Sequence, residues 1–175
     1  MKIVTKRASA SFDPYELLAT LQRHHVSFVV IGAFARVIHG TGELTEGIDV
    51  TPSLRADNMG RLEKALDELE ARRVDGQKLY LQDIDEPALE LETRAGELKL
   101  VPEPAGAHGY DDLRRHASRE PLGRGLRPQV ASRGDLARML GALGRKEQIP
   151  VLLRLRRVME LERQLVPRRG RSIER

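Results

Sequence analysis

Residues 28–51 read FVVIGAFARVIHGTGELTEGIDVT, and this stretch decides the fold. An apolar run, Phe28-Val29-Val30-Ile31, stops at Gly32 and passes straight into a short helical segment, 33–39, that Gly40 ends. β-branched residues over a run this short predict a buried strand, and glycine just past a helix is a good terminator. A polar loop, 41–46, leads to a second short strand, 48–51, which carries one acid, Asp49, and stops at Pro52. The unit is strand, glycine turn, helix, then a strand bearing a carboxylate.

Working outward, Asp13 and Pro14 predict a helix start, with Asp13 as N-cap and Pro14 in the first turn, running to about His24 with Leu17, Leu18 and Leu21 inward. A helix is expected over 56–72, with Met59, Leu62, Leu66 and Leu69 on one stripe. Extended pieces follow at 78–81, 88–91 and 97–101, the last two joined by a turn at 94–96 as a hairpin. Beyond a Pro/Gly-rich loop at 102–109, a turn or two of helix is expected over 110–116 and a short strand over 127–131. Two helices close the chain. One spans 135–144, with Ser132 or the Arg133-Gly134 pair as its cap. The other starts at Pro150 and turns Leu152, Leu155, Val158 or Met159, and Leu161 or Leu165 inward. The expected organisation is a core over 1–131, a helical pair over 132–167 and a loose basic tail over 168–175.

Composition narrows the classes. At 175 residues and 40% hydrophobic, the chain can bury one core. With aromatics at only 3%, aliphatic side chains must pack it. The absence of cysteine excludes disulfides and thiolate metal sites and is compatible with a reducing cytoplasm. No apolar stretch approaches membrane-spanning length and the N-terminus lacks a long apolar segment, so a cytoplasmic chain without a membrane partner is expected. The net charge of +4 hides an asymmetry: residues 1–112 hold 13 basic and 20 acidic residues, whereas 113–175 hold 17 and 6. Sixteen of those 17 are arginine, whose fork suits phosphate. The Arg-rich half is a candidate surface for a nucleotide or RNA; the plainer reading is that it pairs with the acidic half.

The stretch at 28–51 resembles the signature of the nucleotidyltransferase superfamily, in which a strand ends in Gly-Gly or Gly-Ser, a helix follows, and the next strand carries Asp-x-Asp. Three further segments resemble the AbiEii-like and minimal nucleotidyltransferases: Gly96-Glu97-Leu98-Lys99-Leu100, Gly109-Tyr110-Asp111-Asp112-Leu113, and Ala131-Ser132 through Asp135-Leu136 and Met139 to Gly144-Arg145. The resemblance spans about 25–160. It implies an α+β fold, a mixed β-sheet with helices flanking it on one side and a C-terminal helical pair. It also implies transfer of a nucleoside monophosphate from NTP to a hydroxyl, with Mg²⁺ held by three carboxylates, and an association with toxin–antitoxin or phage-defence systems.

Against that pattern, Gly32 is kept while Ala33 replaces a Gly or Ser. Gly47 stands at the first acid position, Asp49 at the second and Lys99 at the third, so one carboxylate of three remains. Leu140 and Gln148 stand where the family tends to carry charged residues. Glu46, Glu92 and Glu97 are candidate compensating acids. Asp49 either caps the next turn or pairs with Lys99 in place of a metal. Gly32, Ala33, Arg36 and Arg145 are the candidate phosphate contacts. The expected function is a catalytically impaired nucleotidyltransferase-fold protein that binds a nucleotide or RNA, or serves as a regulatory component with a protein partner or as a homodimer. The alternatives are an active enzyme using NTP and Mg²⁺ on tRNA or protein, and a non-catalytic interaction module. His24, His25, His39, His108 and His116 read more simply as helix-end or loop residues. Arg157 and Glu160 read as an ion-pair ladder.

Overall fold

The computed structural model describes residues 11–165 except 82, 83 and 85; the expected basic tail lies outside the described residues. Seven strands form one mixed sheet in the order β3-β4-β5-β2-β1-β7-β6. They are β1 (Phe28–Ile31), β2 (Gly47–Pro52), β3 (Arg72–Arg73), β4 (Leu89–Thr93), β5 (Gly96–Leu100), β6 (Ser118–Arg119) and β7 (Gln129–Val130). The helices are α1 (Pro14–Arg23), α2 (Gly32–Ile38), α3 (Ala56–Glu68), α4 (Gly109–Arg114), α5 (Arg133–Leu143) and α6 (Ile149–Leu165), with a 3₁₀ turn at Lys146–Gln148. This is the α+β architecture expected from the sequence.

Local chemistry sets the elements. Asp13 caps α1 by accepting the Glu16 N–H at 3.0 Å, and Pro14 occupies the first turn, where its missing N–H costs nothing. Helix α2 stops at Gly40, with the Thr41 N–H donating to the Arg36 carbonyl at 3.1 Å. Ser132 caps α5 by accepting the Asp135 N–H at 3.1 Å. His24 ends α1 and bonds Glu68 of α3, as a plain helix-end role requires. Asn58, 1% exposed, accepts the Ser27 N–H at 2.7 Å and donates to the carbonyls of Ser27 and Ser53, fastening α3 to the start of β1 and the end of β2.

β1 is buried along its whole length, so both faces of the sheet are covered at its centre. Away from the centre the sheet opens: in β4 the buried residues Leu89, Leu91 and Thr93 alternate with exposed Glu90 and Glu92, and in β5 Leu98 and Leu100 alternate with Glu97 and Lys99. One side of these strands packs on the core and the other faces solvent.

Other boundaries differ from expectation. α3 ends at Glu68, and Arg72–Arg73 form an edge strand against Leu91 and Glu92 rather than a last helical turn. No strand forms at 78–81. β6, which the sequence reading leaves out, pairs with β7 at the other edge. Both edges are two residues long and carry arginine, which blunts strand addition by another chain. In α6 only Val151 and Leu155 are buried; Leu161 and Leu165 point outward because the last turns outrun the core.

Candidate active-site cleft

β1 ends at Ile31, opposite Asp49 of β2 in antiparallel register. Gly32, with φ of 67°, turns the chain into α2. A side chain at Gly32 would put its Cβ 2.5 Å from Asp49 Oδ2, so the turn and the carboxylate lie against each other only because residue 32 has no Cβ. β2 pairs in parallel with β5, with Asp49 opposite Lys99 and Gly47 opposite Glu97. β5 pairs with β4, with Lys99 opposite Glu90 and Glu97 opposite Glu92. Ile48, Leu98 and Leu91 face the core, so strand alternation places Asp49, Lys99, Glu97, Glu90 and Glu92 on the open face of three neighbouring strands. Ala33 and Glu46 join them around a cavity of about 260 Å³.

The register therefore brings together Gly32, Asp49, Gly47, Lys99 and all three candidate compensating acids. It also adds Glu90, whose signal was its spacing of two from Glu92 on the same strand. The proposed Asp49–Lys99 ion pair does not form. The Lys99 ammonium instead lies 3.1 Å from Glu90 Oε1 across the hairpin. Both acids are direct register partners of Lys99, one on each neighbouring strand, and the choice between them is decided by side-chain direction, which register alone does not set. Among the described residues Asp49 makes no hydrogen bond or ion pair. Burial pushes its carboxyl above the usual range. The Lys99 and Arg36 charges pull it back only in part, and Glu90 and Glu97 add to the rise.

A divalent cation does not fit this donor set. Gly47 supplies no carboxylate, and a Cβ built there would meet Glu97 Cβ at 2.9 Å and Glu97 O at 3.0 Å, so neighbouring β5 occupies the space of the missing acid. Lys99 brings a positive charge beside Asp49. Among the described residues no three carboxylate or imidazole groups converge closely enough to hold a metal ion. Hard cations such as Mg²⁺ require oxygen donors at short, regular distances.

The other candidates lie elsewhere. Arg36 is 6% exposed and its guanidinium forks onto Glu43, with Nε donating at 2.8 Å and Nη2 at 2.9 Å. It is occupied rather than free for phosphate. Glu43 was absent from the candidate residues, because only the path of the 41–46 loop brings it back over α2. Arg145 is exposed between α5 and the 3₁₀ turn and does not line the cleft. Leu140 is buried in α5, which packs on α2. Gln148 lies in the 3₁₀ turn with its Oε1 buried and without a hydrogen-bond partner among the described residues. His39 bonds the Ala131 carbonyl at 2.8 Å, and Arg157 bonds Glu160 at 3.1 Å, both structural contacts.

The raised carboxyl of Asp49 makes a prediction about pH. A group whose protonated form the fold prefers loses its stabilising contribution as pH rises through its folded pKa, so ionised Asp49 weighs against the fold at neutral pH. Asp49→Asn is expected to melt above the parent at pH 7, the gap closing as pH falls from the raised folded value towards about 4, the ordinary value for Asp, and absent below it. Thermal melts across that range check it; a variant that melts at or below the parent at pH 7 refutes it.

No family model matches the chain, and no curated protein sequence does. Among solved structures it is similar to the antibiotic-resistance factor ANT(2'')-Ia in solution, at 15% identity and a TM-score of 0.47, over 85% of this chain and 92% of that one. It is also similar to a candidate nucleotidyltransferase of Thermotoga maritima, at 15% identity and a TM-score of 0.46, over 85% and 86%. A crystal structure of ANT(2'')-Ia with adenylyl-2''-tobramycin gives 15% identity and a TM-score of 0.45, over 82% and 95%. No helix among the described residues is long and apolar enough to cross a membrane.

Proposed function

We propose that this chain is a nucleotidyltransferase-like protein, of the AbiEii or minimal kind, whose cleft no longer supports metal-dependent transfer. It acts by binding, as a regulatory component of a toxin–antitoxin or related system. The observation that carries the reading is the register of β2 and β5: Lys99 stands directly beside Asp49 and is held by Glu90, and the position of the other expected acid, Gly47, has no room for a side chain. Five carboxylates face one ammonium around the cleft, so a triphosphate without cations meets net repulsion there. The test is incubation with labelled NTPs, Mg²⁺ or Mn²⁺, and either bulk tRNA or candidate protein acceptors. No label should be transferred, and NTP with metal should not raise the melting temperature through the cleft.

A second reading has its own support. Glu46, Glu92 and Glu97 all line the cleft with Asp49, and Glu97 lies beside the vacated Gly47 position. An active transferase with a rearranged acid set would use them. Label transfer that Asp49→Asn abolishes would establish that reading and end the first.

A further inference from the structure

At the opposite end of β1 from Gly32 lies a second recess, of about 470 Å³, between α1, the start of β1 and the β6–β7 turn. Its apolar lining includes Val26 and Phe28, and Arg119, Arg127 and His25 also line it. Arg119 is the register partner of Gln129, and Arg127 precedes Gln129 by two residues, so both arginines fall on the side of this ribbon that carries Gln129. Glu120, the acid nearest in sequence, falls on the other side and accepts from Ser118.

Both arginines are exposed, and neither has a carboxylate within ion-pair distance among the described residues. The acids of the adjoining helices are already engaged: Asp111 with Arg114 at 2.8 Å, Asp112 with Arg138 at 3.0 Å, and Glu68 with Arg23 at 2.6 Å. The positive field of the ribbon is extended at its tip by Arg124, whose guanidinium lies 4.8 Å from the Tyr15 ring centre. The plainer expectation that the basic half neutralises the acidic half therefore does not hold at this ribbon.

His25 also lines this recess. His25 holds a left-handed backbone, φ 54°, just past the end of α1, where glycine is ordinarily preferred. For a side chain with a Cβ that conformation costs about 1–2 kcal/mol. The residue is fixed there by Arg61, whose Nε donates to the His25 carbonyl at 3.0 Å, and by the Val26 N–H donating to the Leu21 carbonyl at 3.0 Å. The same backbone and the same hydrogen-bond pattern end α3 at Glu70, so this is a helix-end geometry, and here it sets His25 in the lining of the recess along with Arg119 and Arg127.

We propose that this recess docks the phosphate backbone of a single-stranded RNA, with Arg119 and Arg127 contacting successive phosphates and the apolar floor receiving a base. A flexible strand can enter a recess of this size, whereas a duplex presents a broad, stiff surface. The line of arginines runs beyond the recess, which suits a polymer better than a single phosphate. The proposal is independent of the cleft and stands whether or not the cleft transfers anything.

The test is fluorescence anisotropy of a labelled oligouridylate at several salt concentrations. Arg119→Ala/Arg127→Ala should weaken binding at least about tenfold and lower the slope of log K against log salt by about 1.4, twice the contribution of one single-strand phosphate contact. Arg156→Ala/Arg163→Ala on α6 removes the same charge elsewhere and should leave binding close to the parent. Unaltered melting of both variants confirms that the fold is intact. Parent-like binding by the first variant, an equal loss in the second, or displacement of the oligomer by inorganic phosphate at matched phosphate concentration would each overturn the proposal.

Discussion

Arg36→Ala is expected to destabilise the protein by about 3–5 kcal/mol, the range found when one member of a buried ion pair is removed and its partner stays charged. Both side chains are well covered, at 8% and 15% exposure, and the contact is a two-bond fork. The Thr41 hydroxyl also donates to Glu43 at 2.7 Å. Burial pushes the Glu43 carboxyl upward, but Arg36 and Thr41 more than offset it, leaving the group below its ordinary value. A depressed carboxyl contributes stability above its unfolded pKa and loses it as pH falls through the folded one. The deficit of Arg36→Ala should therefore be full at pH 7 and shrink in acid below about 4.5, where Glu43 protonates in the unfolded chain. Denaturant melts at several pH values check this. Arg36→Met/Glu43→Leu removes both charges while keeping bulk, and should recover most of the loss. A deficit below about 1 kcal/mol and independent of pH, of the size typical for an exposed pair, would show that Arg36 is free to serve a ligand instead.

The contrast between Arg36 and Asp49 shows what could be read in the sequence. Strand alternation and the glycine turn are local patterns, so the juxtaposition of Asp49 with Lys99 follows from residue spacing once the two strands are taken as neighbours. The same spacing predicts that Glu97 shares a face with Lys99. Partner choice is not local. Lys99 selects Glu90 over Asp49 by side-chain direction, and Arg36 finds Glu43 only because the 41–46 loop doubles back over α2. Two-residue strands such as Arg72–Arg73 and Ser118–Arg119 carry no hydrophobic period at all. They exist because a neighbour offers hydrogen bonds, not because their residues favour extension. The recess at His25 was invisible for a related reason: nothing in a His-His pair announces a left-handed backbone, whereas a glycine there would have.

Gly32→Ala carries the second large effect, about 2–4 kcal/mol from two separable sources. A φ of 67° costs an L-residue with a Cβ about 1–2 kcal/mol, and the new methyl would overlap Asp49 Oδ2 at 2.5 Å and crowd Asp49 Cγ at 3.1 Å, an overpacking of about 1–3 kcal/mol. Rotation of the carboxylate relieves only part of the crowding, because Asp49 Cβ itself would stand 3.2 Å from the new methyl carbon. Shortening residue 49 separates the sources. In Gly32→Ala/Asp49→Ala the overlap with the carboxylate disappears while the backbone strain stays, so the double variant should recover about half of the loss relative to Asp49→Ala alone. Full recovery would mean that the turn has no left-handed strain to impose. No recovery would mean that Asp49 does not lie on the turn. Partial recovery places Asp49 against the start of α2, where the first helical N–H groups are unpaired. A carboxylate held against the turn takes up space that an anion approaching those donors would need.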